Sequence, residues 1–496
     1  MATDLQTERK DPDCVRARDT GDGGSAMGER VQASKEADST HHQRESGDHS
    51  AACRRPAGRK PGPAPDGTSF GRQLAGVASR CFPDMNRWLD ALPDPRRQDM
   101  CVYSGPHLWW QMILTFLLRH GTRNAFDGDR NSGELPENLL RLCAEEWDED
   151  RLGTRRTVTC TGNTTHHASR IPVDAVAGIP LLMVRRLIQM RMLDDARLLG
   201  RWRLVVIDGT LQDRGRDTPG KLARYRYVVE AKLVGPEGTM FPLMTEFVNV
   251  RDPILEKEDC ELNAFRRLAK RLKAEFPRQA LCLALDGLYP VHSVFDLCEQ
   301  YEWMFIATLR EGRQPIAWDE AVQTMMMSPS HVSQGMRYGE DGCVQQTLRW
   351  TNQIPFGKHT FQVLFAGEIS SSAATLWAWV TNFPLAHNTV HAIANQGGRK
   401  RNAIENVFNV EKNGGFGLEH AFCANDTASQ NYHLIMQVAY IFAQLLINGI
   451  LRRFTSACRK LTDIKITEIL RYSLTYVRID PLQPPPRQQI RFIPSS

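Results

Sequence analysis

Two aspartates in this sequence each stand at the end of an apolar run and directly before a glycine. Asp208 closes LVVID and Asp286 closes LCLALD. Such runs predict buried strands, so each carboxylate is expected to emerge where a strand ends and the backbone turns away. On neighbouring strands the two carboxylates would converge, and hard divalent cations favour carboxylate oxygens. Asp-Gly is also a common turn dipeptide, which is the simpler interpretation of either aspartate taken alone.

A third carboxylate, Glu405, lies in GGRKRNAIENVFNVEKNGGFG, a segment with helical character over 397–417. At about 100° per residue, Arg401, Glu405, Phe408 and Lys412 fall on one narrow stripe. A carboxylate between an arginine and a lysine suits a metal site that also holds phosphate groups. The alternative is an ordinary Arg/Glu pair on a solvated helix. Asn406, Asn409 and Asn413 argue against it, because asparagine is a poor choice for a merely solvated helix.

The elements around these residues predict a mixed sheet. Strands are expected over 203–210, 226–235, 240–250, 280–287 and 303–311, with the second and third forming a hairpin around PEGT, and a charged helix is expected over 259–276. The succession of strand, hairpin, helix, strand, helix and strand indicates an α/β fold with flanking helices. Short aromatic and β-branched runs between about Gln314 and Phe383 indicate further strands.

Helices are expected before the first strand. HLWWQMILTFLLRHG, over 107–121, predicts a long apolar helix, and residues 171–200 continue the helical pattern. TGNTT, which follows Cys160, is interpreted as a polar loop. Cys160 and the nearby histidines lack the second ligand pair that a zinc module needs.

The overall composition excludes several classes of protein. The chain has 496 residues, 42% hydrophobic and 24% charged, as in soluble globular proteins. We expect neither export nor a membrane span, since the N-terminus lacks a signal-peptide core and the longest apolar stretch, 433–450, is interrupted by amide side chains. Twelve cysteines without a CxxC pair give no disulfide framework, and a net charge of +5 does not decide whether nucleic acid is bound.

With these motifs in order, the chain resembles the DDE transposases of bacterial insertion sequences, in the branch with a Tyr-x2-Arg-x3-Glu-x6-Lys signature. The spacing from Arg401 through Glu405 to Lys412 matches the signature, while Gly398 stands at the tyrosine position. IDGT around Asp208 and ALDGLYP around Asp286 are also similar to family elements. The resemblance covers roughly residues 204–446.

The resemblance implies a ribonuclease-H-like catalytic core with a β-rich insertion before the catalytic glutamate. It divides the chain into a disordered polar tail (1–70), a helical N-terminal domain that is a candidate for DNA binding (71–200), the first part of the core (201–313), the β-rich insertion (314–385), the second part of the core with the Glu405 helix (386–455) and a C-terminal segment (456–496).

The same resemblance implies metal-dependent cleavage of transposon ends and strand transfer into target DNA. Asp208, Asp286 and Glu405 would hold two Mg²⁺ ions per active site, with Mn²⁺ as the alternative ion. Arg401 and Lys412 would bind phosphates, and the candidates for further DNA contacts are Arg399, Lys400 and Asn409. The partners implied are double-stranded DNA, as terminal inverted repeats and target, and a second copy of the chain in the synaptic complex. The protein would act in the bacterial cytoplasm, at the nucleoid.

Three other functions were weighed against this one. VVIDGT is similar to the motif of haloacid-dehalogenase-like phosphatases, but Val206 stands where that chemistry needs a nucleophilic aspartate, so this reading is excluded. A transposase-derived DNA-binding protein that no longer cleaves, and a ribonuclease-H-like nuclease without strand transfer, both stay open.

Overall fold

The computed structural model describes residues 70–214, 225–250, 257–339, 342–371, 373–420, 422–453, 456–480 and 490–492. The predicted polar tail, apart from its last residue, lies outside these ranges. So do residues 481–489 and 493–496 of the C-terminal segment.

Helices dominate the described chain before the first strand. They are α1 (Phe70–Cys81), α2 (Met85–Asp90), α3 (Gly105–Leu117), α4 (Arg123–Asp129), α5 (Leu135–Cys143), α6 (Glu149–Leu152), α7 (Thr161–Ala168) and α8 (Val173–Gln189). The helical predictions over 107–121 and 171–200 are therefore confirmed. Helix α3 begins where the Ser104 side chain accepts a hydrogen bond from the backbone N–H of His107, as N-cap residues do.

The loop predicted for TGNTT is wrong, because these residues form most of helix α7. Asp127, which lies in α4, accepts hydrogen bonds at 2.8 Å from the backbone N–H of Thr161 and at 2.7 Å from its hydroxyl. The cap of α7 thus comes from a residue 34 positions earlier. A local reading of the sequence has no access to such a partner.

The strands and helices that follow are β1 (Arg203–Arg214), β2 (Tyr225–Val234), β3 (Met240–Val250), α9 (Lys257–Glu275), β4 (Leu281–Leu285), α10 (His292–Gln300), β5 (Met304–Thr308), α11 (Pro315–Met327), β6 (Val332–Gly339), β7 (Gly342–Phe356), β8 (His359–Ile369) and β9 (Ala374–Thr381). Among the described residues they form one nine-stranded sheet in the order β3-β2-β1-β4-β5-β9-β8-β7-β6. Only the pairs β1–β4 and β4–β5 are parallel. The predicted α/β class with a mixed sheet is confirmed.

Strand β4 shows why the centre of this sheet was readable from sequence. All five of its residues are buried, as expected for a parallel strand that is covered on both faces. The region 314–385 instead contains α11 and four antiparallel strands. In β7, buried and exposed residues alternate along much of the strand, the pattern of a strand with one face in the core. Strand β9 joins these strands to β5.

Helical structure returns after the sheet. A short helix α12 (Val390–Ala392) continues into a π-helical turn (Ile393–Gly397) and a 3₁₀ turn (Gly398–Arg401), and then come α13 (Ala403–Asn413), α14 (Asp426–Ala443), α15 (Ser456–Arg459) and α16 (Asp463–Tyr476). Helix α14 packs against α3 and α8, and so connects the N-terminal helices to the part of the chain that follows the sheet.

The helical stretch Asp426–Arg453 is long and apolar enough to cross a membrane. In the folded chain, however, 94% of its most apolar window is buried against other elements. This burial is what the core helix of a soluble protein shows. It agrees with the expectation that this stretch is not a membrane span.

Candidate active site

Asp208 lies inside β1, where its backbone pairs with Glu230 of β2. The expectation that it ends a strand is therefore wrong, since β1 continues to Arg214 along its antiparallel partner. The next residue, Gly209, is needed because a larger side chain would not fit there. A β-carbon at Gly209 would lie 2.1 Å from the Tyr227 hydroxyl, so the residue is fixed by a close approach of that side chain and no turn is involved.

Asp286, by contrast, directly follows the end of β4, as predicted. The last parallel pair between the two strands is Val206 with Ala284, so each aspartate lies two residues beyond that pair. The register thus places the two carboxylates side by side just beyond the parallel pairing of β1 with β4. One oxygen of Asp286 accepts a hydrogen bond at 2.8 Å from the backbone N–H of Leu288, which holds the carboxylate at this position.

Glu405 lies in the first turn of α13, and its side chain is 57% exposed. The predicted stripe needs one correction, because Arg401 precedes the α-helix and belongs to a 3₁₀ turn. Its guanidinium still reaches Glu405. The structure also accounts for the glycine at position 398, since a β-carbon there would lie 2.5 Å from the Trp379 ring.

One guanidinium joins all three predicted carboxylates. Nη2 of Arg401 lies 3.0 Å from Oδ2 of Asp208 and 3.7 Å from Oδ2 of Asp286, while Nη1 donates a hydrogen bond to Glu405. We call these four residues the carboxylate cluster. Arg310 approaches Asp286 at 3.8 Å from the outer side. Residues that are up to 197 positions apart in the chain therefore meet around a single cation.

Burial raises the pKa of Asp208 to about 7. Arg401 opposes this rise, whereas the neighbouring carboxylates of Asp286 and Glu261 add to it. The site therefore carries more negative charge than its guanidinium balances. A further cation would be attracted to it and would favour the ionised form of Asp208.

Glu261 is a fourth acid near this site that sequence reasoning missed. It is buried on α9, where it accepts hydrogen bonds from the hydroxyls of Tyr227 at 2.5 Å and of Tyr289 at 3.0 Å. A signal was present in the sequence: Glu261 shares one helical stripe with the buried Phe265 and Leu268, and a carboxylate on an apolar stripe needs partners.

A second group of charges, also missed, connects β2 to the helix that carries Glu405. Lys232 is fully buried, with its ammonium 2.5 Å from Glu230 and 2.7 Å from Glu411 of α13. His433 lies 2.9 Å from Glu230, and the Gln437 amide donates to the same carboxylate at 3.1 Å. We call these five residues the buried ion cluster. The alternation of Glu230 and Lys232 in an otherwise apolar strand was its sequence signal.

The candidates for DNA contact have different surroundings. Arg399 pairs with Glu368 and has its guanidinium carbon 4.9 Å from the centre of the Trp377 ring. Lys412 lies 2.9 Å from Glu419. Asn409 is exposed and accepts a hydrogen bond from another asparagine of α13.

Lys400 differs from the other three candidates because it lines a cavity. The cavity has a volume of about 1320 Å³ and is also lined by Arg191, Arg197 and Arg452. None of the three carboxylates lines it. The structure therefore brings Arg401 alone among the five basic and amide candidates into contact with the carboxylates, within the described residues.

The chemistry of the carboxylate cluster fits a divalent metal ion. Its donors are all carboxylate oxygens, which Mg²⁺ and Mn²⁺ prefer, and they already surround a cationic group. At the described surface of α10, Asp296, Glu299 and His359 form a different acidic group. There Asp296 already has the Lys358 ammonium at 2.7 Å.

Comparison with known proteins adds no family to this geometry. No protein-family model matches the chain, and a search of curated proteins finds no match.

Proposed function

We propose that this protein is a DDE transposase that cleaves transposon ends and transfers DNA strands with the help of bound Mg²⁺ or Mn²⁺. The observation that carries the proposal is the convergence of Asp208, Asp286 and Glu405 on Arg401. Three acids that were chosen from sequence spacing are distant in the chain, and a chance choice of surface acids would not meet at one cation.

The sheet supports the same proposal. We assign β1 to β5, with α9 and α10, to the ribonuclease-H-like core that the resemblance implies, and β6 to β9 to the insertion before the catalytic glutamate. In this assignment, the two aspartates lie just past the last residues of β1 and β4 that pair with each other. The carboxyl ends of parallel strands are where α/β sheets commonly place their functional groups. Glu405 is presented to them by α13.

In this proposal each residue of the carboxylate cluster has its own role. Asp208, which is the most buried of the three acids, would hold the metal ions together with Asp286 and Glu405. Arg401 binds a phosphate of the DNA once metal ions satisfy the carboxylates, and Lys412 binds another beyond it. When bound, a pair of divalent ions activates the attacking water or 3′-hydroxyl and stabilises the departing oxygen.

The partners follow from the reaction. The substrate is double-stranded DNA, as terminal inverted repeats and target, and two copies of the chain would act together because two ends are joined. The N-terminal helices α1 to α8 are the candidate for reading the ends, and the site of action is the bacterial cytoplasm.

The proposal is tested by incubating the purified chain with Mg²⁺ and DNA that carries the terminal repeats flanking its gene. We expect nicking at the repeat ends, and we expect Asp208→Asn to reduce it at least about a thousandfold, because a metal ligand supplies several kcal/mol of transition-state stabilisation. Asp84→Asn, at an exposed surface carboxylate, is the matched control and should cleave normally.

Two other outcomes would replace the proposal. Specific binding of the repeats without cleavage, by chain that binds Mg²⁺ normally, favours a transposase-derived DNA-binding protein. The observation that favours this alternative is the contact of Arg401 with all three carboxylates, because each acid then already has a partner. Cleavage without any joined product favours a nuclease of the same fold.

A further inference from the structure

Three side chains of metal-ligating types meet in the N-terminal helices, away from the carboxylate cluster. They are His107, Cys143 and Glu145, and one ligand atom from each lies within 4.8 Å of the others. His107 and Cys143 are buried, and Glu145 is partly exposed. This is a mixed nitrogen, sulfur and oxygen set, which differs chemically from the all-carboxylate site on the sheet.

The local chain geometry brings the three together. His107 lies in the first turn of α3, and Cys143 is the last residue of α5. Ala144 then adopts a left-handed conformation with φ of 56°, which reverses the chain so that Glu145 faces the same space as Cys143. The Ser104 hydroxyl, which caps α3, donates a hydrogen bond to Glu145 and keeps that carboxylate beside His107.

A second observation points to a missing ligand. The His107 side chain is only 1% exposed, yet its Nε2 has no hydrogen-bond partner among the described residues. A buried imidazole nitrogen without a partner costs free energy, and the imidazole that carries it belongs to the cluster with a thiol and a carboxyl group. Coordination of a metal ion would satisfy it.

We propose that His107, Cys143 and Glu145 bind a zinc-type divalent ion. Zinc takes cysteine sulfur, histidine nitrogen and carboxylate oxygen as ligands, and three protein ligands leave a fourth position open. Bond lengths of about 2.0–2.3 Å at a tetrahedral ion place the ligand atoms about 3.3–3.8 Å apart, so atoms that lie within 4.8 Å of one another would close by up to about 1–1.5 Å.

The charges balance at this site. Binding releases the thiol proton of Cys143 to solvent, so one thiolate and one carboxylate neutralise the two positive charges of the ion. Burial lowers the pKa of His107 to about 4, which leaves its imidazole neutral at pH 7 with a lone pair available. A neutral assembly suits a buried site, where an unbalanced charge would be costly.

The ion also has a route of entry. Glu145 lines a cavity of about 780 Å³, together with Trp147 and Asn86, so the partly exposed member of the cluster is reached from that cavity. Water from this cavity can supply the fourth ligand. The cluster has no CxxC spacing, which explains why cysteine counting in the sequence indicated no zinc site.

The experiment uses the full chain, stripped of metal and titrated with Co²⁺, which reports sulfur ligation through a thiolate-to-cobalt charge-transfer band. We expect one such ion per chain, displaced by Zn²⁺, and no band in Cys143→Ser. Cys81→Ser, at another buried cysteine of the same helices, is the matched control and should keep the band. Glu145→Gln, which lies at the cavity edge, should keep the fold and weaken Zn²⁺ binding at least about tenfold.

A wild-type chain that shows no thiolate band, a Cys143→Ser chain that keeps it, or a Glu145→Gln chain that binds Zn²⁺ as the wild type does would each overturn the proposal. The result is separate from the proposed transposase function. Asp208→Asn should leave the thiolate band intact even where it abolishes cleavage, because the carboxylate cluster has no sulfur ligand.

Discussion

The carboxylate cluster and the buried ion cluster share helix α13 but otherwise draw on different elements, and they differ in their exposure to solvent. Asp208 and Glu230 pair across β1 and β2, and Glu405 and Glu411 lie on the same helix, α13. In the carboxylate cluster one guanidinium serves three acids, and Glu405 is 57% exposed. In the buried ion cluster the ammonium of Lys232 is fully enclosed with its acids.

Each cluster contains one acid with a raised pKa. Burial raises the pKa of Glu411 to about 7, with Lys232 opposing and Glu230 adding to the rise. Burial would also raise the pKa of Glu230, but Lys232 and His433 lower it to about 2. Lys232 and His433 therefore keep Glu230 ionised, while burial favours the protonated form of Glu411. The carboxylate cluster, which is open to solvent, can exchange its proton for a metal ion, and the buried ion cluster has no such exchange.

The largest expected effect is on the buried ion cluster. Lys232→Met should lower the free energy of unfolding by about 3–5 kcal/mol, because it leaves Glu230 without its buried counter-charge. Denaturant unfolding measures this. Lys465→Ala, which breaks an exposed ion pair, should change stability by less than about 1 kcal/mol. Equal effects of the two substitutions would show that Lys232 does not stabilise the fold as a buried counter-charge.

The next effect is the pH dependence of stability that Asp208 gives to the carboxylate cluster. Since the pKa of folded Asp208 is about 7 and its ordinary value is 3.8, the folded state holds the extra proton between these values and loses stability as pH rises through them. We expect Asp208→Asn to remove up to about 4 kcal/mol of this loss in metal-free buffer. The measurement is the free energy of unfolding at pH 4 to 8.

Magnesium sharpens the same test. Above pH 7, added Mg²⁺ should stabilise the wild type and should not stabilise Asp208→Asn, because the ion replaces the proton only at the carboxylate cluster. Glu411→Gln should respond to Mg²⁺ as the wild type does. A Mg²⁺ response that disappears in Glu411→Gln and persists in Asp208→Asn would reverse the roles assigned to the two clusters.

A smaller effect is expected from removal of the shared guanidinium. Without divalent ions, Arg401→Ala should lower the free energy of unfolding by about 1–3 kcal/mol, since three carboxylates lose their charged hydrogen-bond donor. Mg²⁺ should restore most of the loss, as followed by thermal unfolding. Arg399→Ala, whose partner Glu368 lies outside the cluster, should show a loss that Mg²⁺ does not repair.

The smallest effect concerns Lys412. Lys412→Ala removes a single partly exposed ion pair, so stability should change by less than about 1 kcal/mol. If Lys412 contacts a phosphate, the slope of log affinity for DNA against log salt concentration should fall by about one. Glu419→Ala, which frees the lysine and keeps its charge, should not weaken DNA binding. An unchanged slope in Lys412→Ala would show that Lys412 does not contact a DNA phosphate and only pairs with Glu419.

The sequence by itself determined the elements with strong local patterns. Strand β4 is a continuous apolar run, the β2–β3 hairpin is marked by its turn, and α3 has a cap and an apolar body. It also identified Asp208, Asp286 and Glu405 as a set, since their order and the spacing around Glu405 are visible along the chain. Hydrophobic periodicity and composition are local properties, so they can be read from a single sequence.

Only the tertiary structure decided how Asp208, Asp286 and Glu405 come together at Arg401. The parallel register of Val206 with Ala284 aligns the two aspartates, and the 3₁₀ turn before α13 brings Arg401 onto them. The same holds for Glu261 beneath its two tyrosines and for Lys232 between two acids. These contacts join residues from separate elements, and their energies depend on burial and distance, which no local pattern of residues carries.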